Sequence, residues 1–376
     1  MDIWFWQLII SPHMANLAKS LTELGHSVTF VIEREMSVDR AAQGWSVPDV
    51  GTSKIILAPN QQEAVLLAKA APSEAIHICQ GVRANGVVGP VQKVLKDLGR
   101  RQFINMETVD DRGWQGFIKR VVYKRLFRRF SPYLSGVLAN GKNTLDWLVE
   151  RGVPEDKVFP FAYFLPENAA NSSCTRQEGS NRYRVLFVGQ FIERKRLDLL
   201  INAMFRLDSE NVELAVVGSG PLDAQLKQFA EVTLPGRVEW IGSLPMDEVR
   251  VQMAGADCLV LPSRHDGWGA VVSEALMSGT PAICSDACGS AVVVEASGYG
   301  GVFRSGNVDD LADILNAKIH EGRLSEQQTH ELAEWARCLS GREGARYLTD
   351  ILRFTDGVSE PPQPPWTNNC FTKCKN

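Results

Sequence analysis

The stretch ADCLVLPSRHDGWGAVVSEALMSGTPAICSD, residues Ala256 to Asp286, decides the fold that the sequence predicts. It begins with a short apolar run that Pro262 ends, which is typical of a strand buried on both faces. A loop with two glycines follows, and then a helix of small residues from about Ala270 to Met277, which Gly279 ends. A second apolar run, Ala282 to Cys284, completes a strand–loop–helix–strand unit. Such a unit belongs to a parallel sheet and places a helix N-terminus at its carboxyl edge, where anions and ligands bind.

Two acidic side chains lie around that helix N-terminus. Asp266 is in the loop, and Glu274 follows eight residues later, one turn into the predicted helix. Because carboxylates at a ligand-binding sheet edge can accept hydrogen bonds from a bound molecule, this pair provides the first candidates for ligand contacts.

The composition is that of a soluble globular protein with two domains. The chain has 376 residues, 44% of them hydrophobic and 22% charged, and a formal net charge of −4. That length is too great for one ordinary domain. The eight cysteines form no CxxC pair. With a large core available, we expect them to be reduced cytosolic thiols rather than disulfides or a zinc site.

The N-terminal segment IWFWQLII is interpreted as a first buried strand rather than a signal peptide. No basic residue precedes it, and Ser11, Pro12 and His13 end the apolar run. No stretch of the sequence reaches the roughly 18 apolar residues that a membrane span needs. We therefore expect that the chain does not cross a bilayer.

The sequence alternates between strand and helix patterns in both halves, which predicts two doubly wound α/β domains with parallel sheets. The first domain is predicted at 1–165. The segment PENAANSSCTRQEGSN has few apolar residues and many turn formers, so 166–182 is predicted to be a linker. The alternation resumes over 183–335, a C-terminal helix is predicted within 336–355, and the proline-rich tail 356–376 is predicted to be disordered. Two such domains are expected to enclose a cleft between facing sheet edges.

Two turns of the second domain have compositions that suit a phosphate. The segment VGQFIERKRLDLL ends a strand at Gly189 and places the cations Arg194 to Arg196 before a helix, where they suit a diphosphate. A solvated basic turn has the same composition, and these residues alone leave both interpretations open. In VVGSGPL, Gly218 and Gly220 would let the backbone approach a ligand closely, although strand-to-helix turns often contain glycine.

The second domain resembles retaining, sugar-nucleotide-dependent glycosyltransferases of the GT-B fold in the order of four segments: VGQFIERKRLDLLINAM, LAVVGSGPL, VEWIGSLPMDEV and ADCLVLPSRHDGWGAVVSEALMSGTPAICSD. More narrowly, it resembles the bacterial "glycosyl transferases group 1" that build lipopolysaccharide, capsule and glycolipids. The resemblance covers about Arg184 to Phe303 and is looser in the first domain. It implies two Rossmann-like domains facing a central cleft, with the donor bound by the second and the acceptor by the first. It also implies that C-terminal helices cross back to the first domain.

The resemblance assigns roles to residues of the second domain. Glu274 would accept hydrogen bonds from the donor ribose, Asp266 would contact the transferred sugar near the reacting carbon, and Lys195 matches the family's phosphate-binding lysine. The family's arginine directly after the glycine is Gln190 here, and Arg194 is the candidate for supplying the missing charge. The other donor-binding positions are backbone amides and glycines: Gly189, Gly218, Gly220, Gly267, Trp268, Gly269, Ala270 and Val271.

Three departures from the family pattern affect these assignments. Asp266 replaces a glutamate, and Gln190 replaces an arginine. In the first domain, related enzymes often have a histidine after a strand near the cleft, but the corresponding segment is INMETVDD, so Glu107 or Asp110 would have to contact the acceptor. His13, in the first strand-to-helix loop, is the other candidate, although a lone loop histidine is more often merely exposed.

The implied chemistry uses no cofactor and no metal ion. A diphosphate would leave the anomeric carbon while an oxocarbenium-like centre develops, and Lys195, Arg194 and the helix N-terminus before Ala270 would stabilise the growing negative charge. Retention through same-face attack by the acceptor, as discussed for the family, requires no enzyme nucleophile. Asp110 and Asp111 are adjacent and do not form the Asp-x-Asp metal motif of the other main transferase fold.

A basic and aromatic segment of the first domain predicts contact with a membrane surface. RGWQGFIKRVVYKRLFRRFSPYL, Arg112 to Leu134, contains seven basic residues and no acidic one. Its apolar residues recur at helical spacing on one side, which together with the basic face is typical of a helix lying on an anionic membrane. The alternative is a helix packed on the domain with a solvated basic face, and nucleic acid is less favoured because no binding motif accompanies the patch. The candidate membrane contacts are Trp114, Lys119, Arg120, Lys124, Arg128 and Arg129.

Together these features predict a retaining glycosyltransferase that moves a sugar from a nucleoside-diphosphate sugar to a lipid-linked or glycan acceptor. The predicted pathway is bacterial cell-surface polysaccharide or glycolipid synthesis, at the inner face of the cytoplasmic membrane. Gln190 leaves open a catalytically weak relative that acts as a partner subunit, and a sugar-nucleotide epimerase of the same fold also remains open. A nicotinamide-dependent oxidoreductase is disfavoured because the chain lacks the GxGxxG fingerprint.

Overall fold

The computed structural model of the chain describes residues 1–35, 48–83, 85–167 and 182–367. These residues form two compact units. The first consists of Met1–Pro166 and Leu339–Asn368, and the second contains Glu167–Cys338. The predicted architecture of two parallel-sheet α/β domains is confirmed. Most of the predicted linker 166–182, and the end of the chain from 368, lie outside the described residues.

The first unit is built on a seven-stranded sheet in the order β3-β2-β1-β4-β5-β6-β7, with every neighbouring pair parallel. Its strands are β1 Asp2–Gln7, β2 Ser27–Ile32, β3 Lys54–Leu57, β4 Ile76–Gln80, β5 Gln102–Glu107, β6 Gly136–Asn140 and β7 Val158–Phe161. Its described helices are α1 Pro12–Glu23, α2 Gln61–Ala70, α3 Val88–Asp97, α4 Gly113–Phe130, α5 Lys142–Val149 and, from the end of the chain, α13 Gly341–Thr355.

The second unit is built on a six-stranded sheet in the order β10-β9-β8-β11-β12-β13, again with parallel pairs. Its strands are β8 Tyr183–Val188, β9 Val212–Val217, β10 Val238–Gly242, β11 Cys258–Leu261, β12 Ala282–Ser285 and β13 Gly301–Phe303. Its helices are α6 Leu197–Phe205, α7 Asp223–Thr233, α8 Met246–Ala254, α9 Ala270–Met277, α10 Ala291–Ser297, α11 Val308–Glu321 and α12 Glu326–Ala336.

The predicted strand–loop–helix–strand unit is present as β11, α9 and β12. All four residues of β11 and all four of β12 are buried, as continuous apolar runs in a parallel sheet predict. The helix between them buries six of its eight residues, and Gly279 follows it with a φ of +77°, a conformation that glycine adopts without strain.

Three elements were not assigned from the sequence. β7 contains Pro160, which argues against a central strand, but β7 is an edge strand, where proline is tolerated. α10 has the sequence AVVVEAS, whose β-branched run does not favour a helix, and tertiary packing decides its conformation. α5 is a helix of only eight residues, too short to show a clear period.

The prediction of a disordered tail from Asp356 needs correction for residues 356–367. Trp366 is buried there and packs edge-to-face against Tyr347 of α13, with ring centroids 6.4 Å apart. Tyr347 in turn stacks on Phe161 of β7, so one aromatic row holds the segment on the first unit. The proline-rich composition suggested disorder because an average over the segment does not reveal that one aromatic residue is buried.

Candidate active site

The strand order of the second sheet reverses between β8 and β11, and the loops that leave these two strands carry the predicted donor site. Ligands of open α/β sheets bind outside the carboxyl ends of the strands at such a switch point. The β8 loop contains a short 3₁₀ turn, Glu193–Lys195, and the β11 loop leads into α9 at Ala270. The topology therefore brings together two loops that are separated by about seventy residues in sequence.

The predicted cations and the predicted acid meet at this switch point. The Lys195 ammonium lies 2.5 Å from Oδ2 of Asp266, and both side chains are largely buried. The Arg194 guanidinium lies 3.4 Å from the same oxygen and donates to the His265 carbonyl at 2.9 Å. Arg194 thus reaches the site from the far end of the loop. The sequence had suggested that Arg194 replaces the charge of the family's arginine, whose position is Gln190 here. Gln190 itself is exposed.

Backbone hydrogen bonds also hold the Asp266 loop in place. The Asp266 amide donates to the Ala287 carbonyl at 3.1 Å, and the Gly289 amide donates back to the Asp266 carbonyl at 3.0 Å. Gly269 then begins α9 with a φ of +89°, and a Cβ there would come 2.5 Å from a Leu261 methyl. Glycine is required at this position for both reasons, and the carboxylate is held at the N-terminus of α9.

Glu274 is a buried carboxyl one turn into α9. Its side chain is only 8% exposed, and its Oε2 has no hydrogen-bond partner among the described residues. Burial raises the pKa of Glu274 from 4.5 to about 7, and the charge of Arg250 opposes that rise. A buried acceptor without a donor is costly for the free protein, and a ligand hydroxyl would satisfy it.

The two glycines of the β9 loop allow close contact between loops of the protein itself. A Cβ at Gly218 would lie 2.0 Å from the Gly189 carbonyl oxygen, and one at Gly220 would lie 2.6 Å from that of Phe191. The Phe191 amide donates to the Ser219 carbonyl at 2.9 Å in the same contact. These glycines therefore have a structural function whether or not a ligand also lies against them.

Among the other donor candidates, Trp268 contributes only its backbone to the loop surface. Its side chain is fully buried and its indole donates to Ser273 at 3.0 Å. Arg196 was grouped with the phosphate-binding cations in the sequence. In the structure its Nε instead donates to both carboxylate oxygens of Asp198, at 3.0 and 3.1 Å. Arg196 is the only described non-glycine residue with positive φ, at 54°. Arg250, whose charge acts on Glu274, was not predicted from the sequence, because α8 contains no recognisable motif.

The first unit brings His13 and Glu107 into one cavity of about 390 Å³. The sheet order reverses between β1 and β4, and the loops after these strands line the cavity. The His13 ring stacks on Tyr163 with centroids 3.6 Å apart, and the Tyr163 hydroxyl donates to the Glu107 carboxylate. Ser11 lies 3.1 Å from Nε2 of His13. Tyr163 was not predicted, since nothing near it in sequence indicates a site.

Two asparagines complete the floor of this cavity. The Asn140 amide donates to the Asn105 side chain at 2.5 Å. Asn140 is 3% exposed, and its Oδ1 has no partner among the described residues. Asp110 does not line the cavity: it binds Arg112 at 2.9 Å on the surface, because the chain leaves the sheet after Glu107. Of the two acids predicted for the acceptor, only Glu107 is at the cavity.

The predicted membrane helix is α4, and its apolar stripe is divided. Tyr123 and Phe127 are buried in the core of the first unit, so this half follows the alternative interpretation of a packed helix. At the N-terminal half, Trp114, Phe117 and Ile118 are 74%, 62% and 54% exposed. Of the predicted cations, Lys119 and Arg120 donate to the carbonyls of residues 110 and 111. The remaining three are exposed: Lys124, Arg128 and Arg129.

The described residues contain no group of three or more His, Cys, Asp and Glu side chains that could hold a metal ion. No helix in the described ranges is long and apolar enough to cross a membrane. The described cysteines Cys79, Cys258, Cys284 and Cys288 are buried thiols that form no disulfide.

The sequence of the second unit matches a known protein family. Residues 175–335 match the family model described as glycosyl transferases group 1. An uncharacterised glycosyltransferase of Methanocaldococcus jannaschii is 27% identical over 46% of this chain and 50% of its own length. The mannosyltransferase LpcC of lipopolysaccharide core biosynthesis, from Rhizobium leguminosarum, is 27% identical over 44% of this chain and 48% of its own. The chain thus spans about half the length of these relatives.

Solved structures match over nearly the whole chain. HepE of Anabaena, in complex with UDP, has a TM-score of 0.70 at 17% identity and covers 94% of this chain and 100% of its own. The lipopolysaccharide outer core galactosyltransferase WaaB has a TM-score of 0.70 at 16% identity, covering 95% of this chain and 100% of its own. At these identities the likeness shows the fold, which is GT-B in both units. Residues 175–335 therefore match the family model of glycosyl transferases group 1, within a chain of GT-B fold.

Proposed function

We propose that the chain transfers a sugar from a nucleoside-diphosphate sugar to an acceptor hydroxyl. The observation that carries this proposal is the convergence of Lys195 and Arg194 on Asp266, beside the buried, unsatisfied carboxyl of Glu274. The cations and the N-terminus of α9 would stabilise the leaving diphosphate, and Glu274 would accept hydrogen bonds from the donor ribose. A diphosphate would compete with Asp266 for the Lys195 ammonium, which frees the carboxylate for hydroxyls of the transferred sugar.

Related structures suggest which donor to test first. The HepE structures contain UDP and UDP-glucose, so a UDP-hexose is the first candidate, and a nucleotide-linked mannose is the second because LpcC is a mannosyltransferase. We infer that transfer proceeds without a metal ion, since Lys195 and Arg194 supply cationic charge at the proposed leaving group. We infer retention from the resemblance to retaining glycosyltransferases. The anomeric configuration of the product, determined by NMR, tests retention. Full activity in the presence of a chelator tests metal independence.

The decisive experiment measures nucleotide release and nucleotide binding together. The protein is incubated with UDP-glucose and other sugar nucleotides, with and without a glycolipid or oligosaccharide extract, and released nucleoside diphosphate is measured. Acceptor-dependent release is expected. Glu274→Ala should weaken UDP binding at least a hundredfold, while Glu231→Ala, an exposed carboxyl on α7, should leave it unchanged. Wild-type UDP affinity in the Glu274 variant would contradict the ribose contact. Donor interconversion without acceptor would indicate an epimerase, and binding without turnover would indicate a partner subunit.

The cavity at His13 is the proposed acceptor site. Amides and a carboxylate beside two stacked rings suit a sugar, because pyranose hydroxyls need both donors and acceptors while the ring faces are apolar. The unsatisfied Asn140 oxygen would then accept from an acceptor hydroxyl. Asn140→Leu should raise the KM for acceptor at least tenfold without changing UDP affinity. Equal effects on both ligands would indicate general unfolding rather than a lost acceptor contact.

We further propose that α4 holds the protein at the inner face of the cytoplasmic membrane, where a lipid-linked acceptor of cell-surface glycan synthesis would be available. The exposed Trp114, Phe117 and Ile118 would enter the interface beside a basic helix surface, and each cation near an anionic surface contributes about 1 kcal/mol. Replacing all three apolar residues with serine should reduce binding to phosphatidylglycerol vesicles at least tenfold. A separate variant with Gln at Lys124, Arg128 and Arg129 should do the same.

A matched control neutralises exposed lysines elsewhere on the first unit, Lys54 and Lys69. This control should bind phosphatidylglycerol vesicles as the wild type does. If both α4 variants also bind as the wild type, the helix is only a packed element with a solvated basic face.

A further inference from the structure

A second cavity of the first unit lies at the amino edge of its sheet, away from the loops that carry His13. It encloses about 390 Å³ and is lined by the end of α3 with the start of β5 and by the turn that follows α4. The lining residues are Lys96, Gly99, Arg100, Arg101, Pro132, Tyr133, Leu134 and Ser135. Three of them are cationic and none is acidic, so the cavity is positively charged.

The three cations of this cavity differ in whether a carboxylate of the protein already binds them. Arg101 is bound on the protein, since its guanidinium lies 2.8 Å from Asp356 and donates to Thr355 at 2.7 Å. The Lys96 ammonium lies over the π face of Tyr133, 4.4 Å from the ring centroid. Neither Lys96 nor Arg100 has a carboxylate within ion-pair distance in the described part of the chain. These two cations are therefore available to an anion.

Polar groups behind Arg100 also lack partners. Its buried Nε has no hydrogen-bond partner among the described residues, and the same holds for both amide atoms of the fully buried Gln102. Gln102 pairs with His77 across the sheet, and Nε2 of His77 is likewise unsatisfied. Burial, with the charge of Arg100, lowers the pKa of His77 to about 4, so the ring is neutral near pH 7 and does not compensate the charge of the guanidinium. A half-buried cation against neutral groups costs free energy unless an anion binds it.

We propose that this cavity is a phosphate-binding site in which Lys96 and Arg100 hold one phosphate group. A guanidinium offers two parallel N–H donors to phosphate oxygens, and the ammonium adds a second charge from the other side. The phosphate can belong to a soluble phosphate ester or to an anionic lipid headgroup. This site is separate from the proposed donor and acceptor sites, and its test does not depend on glycosyl transfer.

The test measures phosphate binding with the donor site disabled. In a Lys195→Gln background, inorganic phosphate and glycerol 3-phosphate are titrated by calorimetry at constant ionic strength, with chloride as the reference. Co-sedimentation with phosphatidylcholine vesicles, with and without phosphatidic acid, forms the second arm. Arg100→Gln and Lys96→Gln should each weaken binding at least tenfold. Lys93→Gln, an exposed lysine one turn earlier on α3, should change it less than twofold.

The two arms identify the source of the phosphate. Tight binding of glycerol 3-phosphate that depends on Arg100 indicates a soluble ester, whereas a dependence on Arg100 seen only with phosphatidic acid vesicles indicates a headgroup. If Arg100→Gln does not fold, as judged by circular dichroism, Lys96→Gln decides alone. The proposal is overturned if neither arm depends on Arg100 or Lys96, or if the Lys93 variant is weakened as strongly.

Discussion

Replacing Glu274 with glutamine should stabilise the second unit at alkaline pH while it removes a charge from the proposed donor site. The folded protein holds the pKa of Glu274 near 7, mainly through burial, against an ordinary 4.5. A raised carboxyl pKa means that folding favours the protonated form, so stability is greatest at low pH and falls as pH rises from 4.5 through 7. At about 1.4 kcal/mol per pKa unit, ionisation costs about 3 kcal/mol at pH 8 and about 1 kcal/mol at pH 5.

Hydrogen–deuterium exchange of the segment Ala270–Met277 measures this difference locally. Wild type and Glu274→Gln are compared at the same pH, so that intrinsic exchange rates cancel. We expect the variant to be protected about a hundredfold more at pH 8, where the amide carries no ionisation cost, and less than about tenfold more at pH 5. UDP should narrow the gap at pH 8, because ribose hydroxyls would satisfy the wild-type carboxylate.

Glu231→Gln on α7 is the matched control, since that side chain is exposed, and it should not change the protection of the segment at either pH. A protection ratio between wild type and Glu274→Gln that is the same at pH 5 and pH 8 would refute the reasoning. It would mean that the folded protein does not favour the protonated carboxyl.

Three further outcomes are expected. Lys195→Gln should lower kcat by about 10²–10³ if its charge stabilises the leaving group, whereas Lys227→Gln, an exposed lysine paired with Asp223, should leave kcat unchanged. Gly218→Ala should destabilise the second unit by about 3 kcal/mol in urea unfolding, because its Cβ would meet a backbone oxygen at 2.0 Å, while Gly236→Ala has open space and should cost about 1 kcal/mol. The pKa of His77 is lowered from 6.5 to about 4, so the first unit should lose about 3 kcal/mol as pH falls across that range, and His77→Phe should flatten the loss.

The sequence predicted the fold well because strands buried on both faces leave an unambiguous pattern. The runs at β11 and β12 are apolar, bounded by proline, and at four residues too short for a helix. The helix α4 shows the limit of the same reasoning. Helical periodicity identified its apolar side, but only the packing of Tyr123 and Phe127 separates the buried half from the exposed Trp114.

Side chains that complete a site from distant strands could not be predicted. Tyr163 reaches Glu107 across fifty-six positions, and Asn140 meets Asn105 across thirty-five. Neither residue has a local motif, since a loop tyrosine or a strand asparagine is common anywhere. The resemblance to a family identified Asp266 and Lys195 because that match preserves spacing. It did not indicate that the two side chains contact each other when no donor is bound.

The contact between Lys195, Arg194 and Asp266 bears on whether the loss of an arginine at position 190 disables the site. The Arg194 carbonyl accepts from the Arg264 amide at 2.8 Å, and its guanidinium donates to the His265 carbonyl at 2.9 Å. The two strand loops are thus bonded to each other through Arg194, and the side chain is held within 3.4 Å of the carboxylate. If a bound diphosphate draws Lys195 away, Arg194 would remain beside Asp266, so the carboxylate would keep a partner while Lys195 binds the phosphate. This arrangement favours an active transferase over an inert relative.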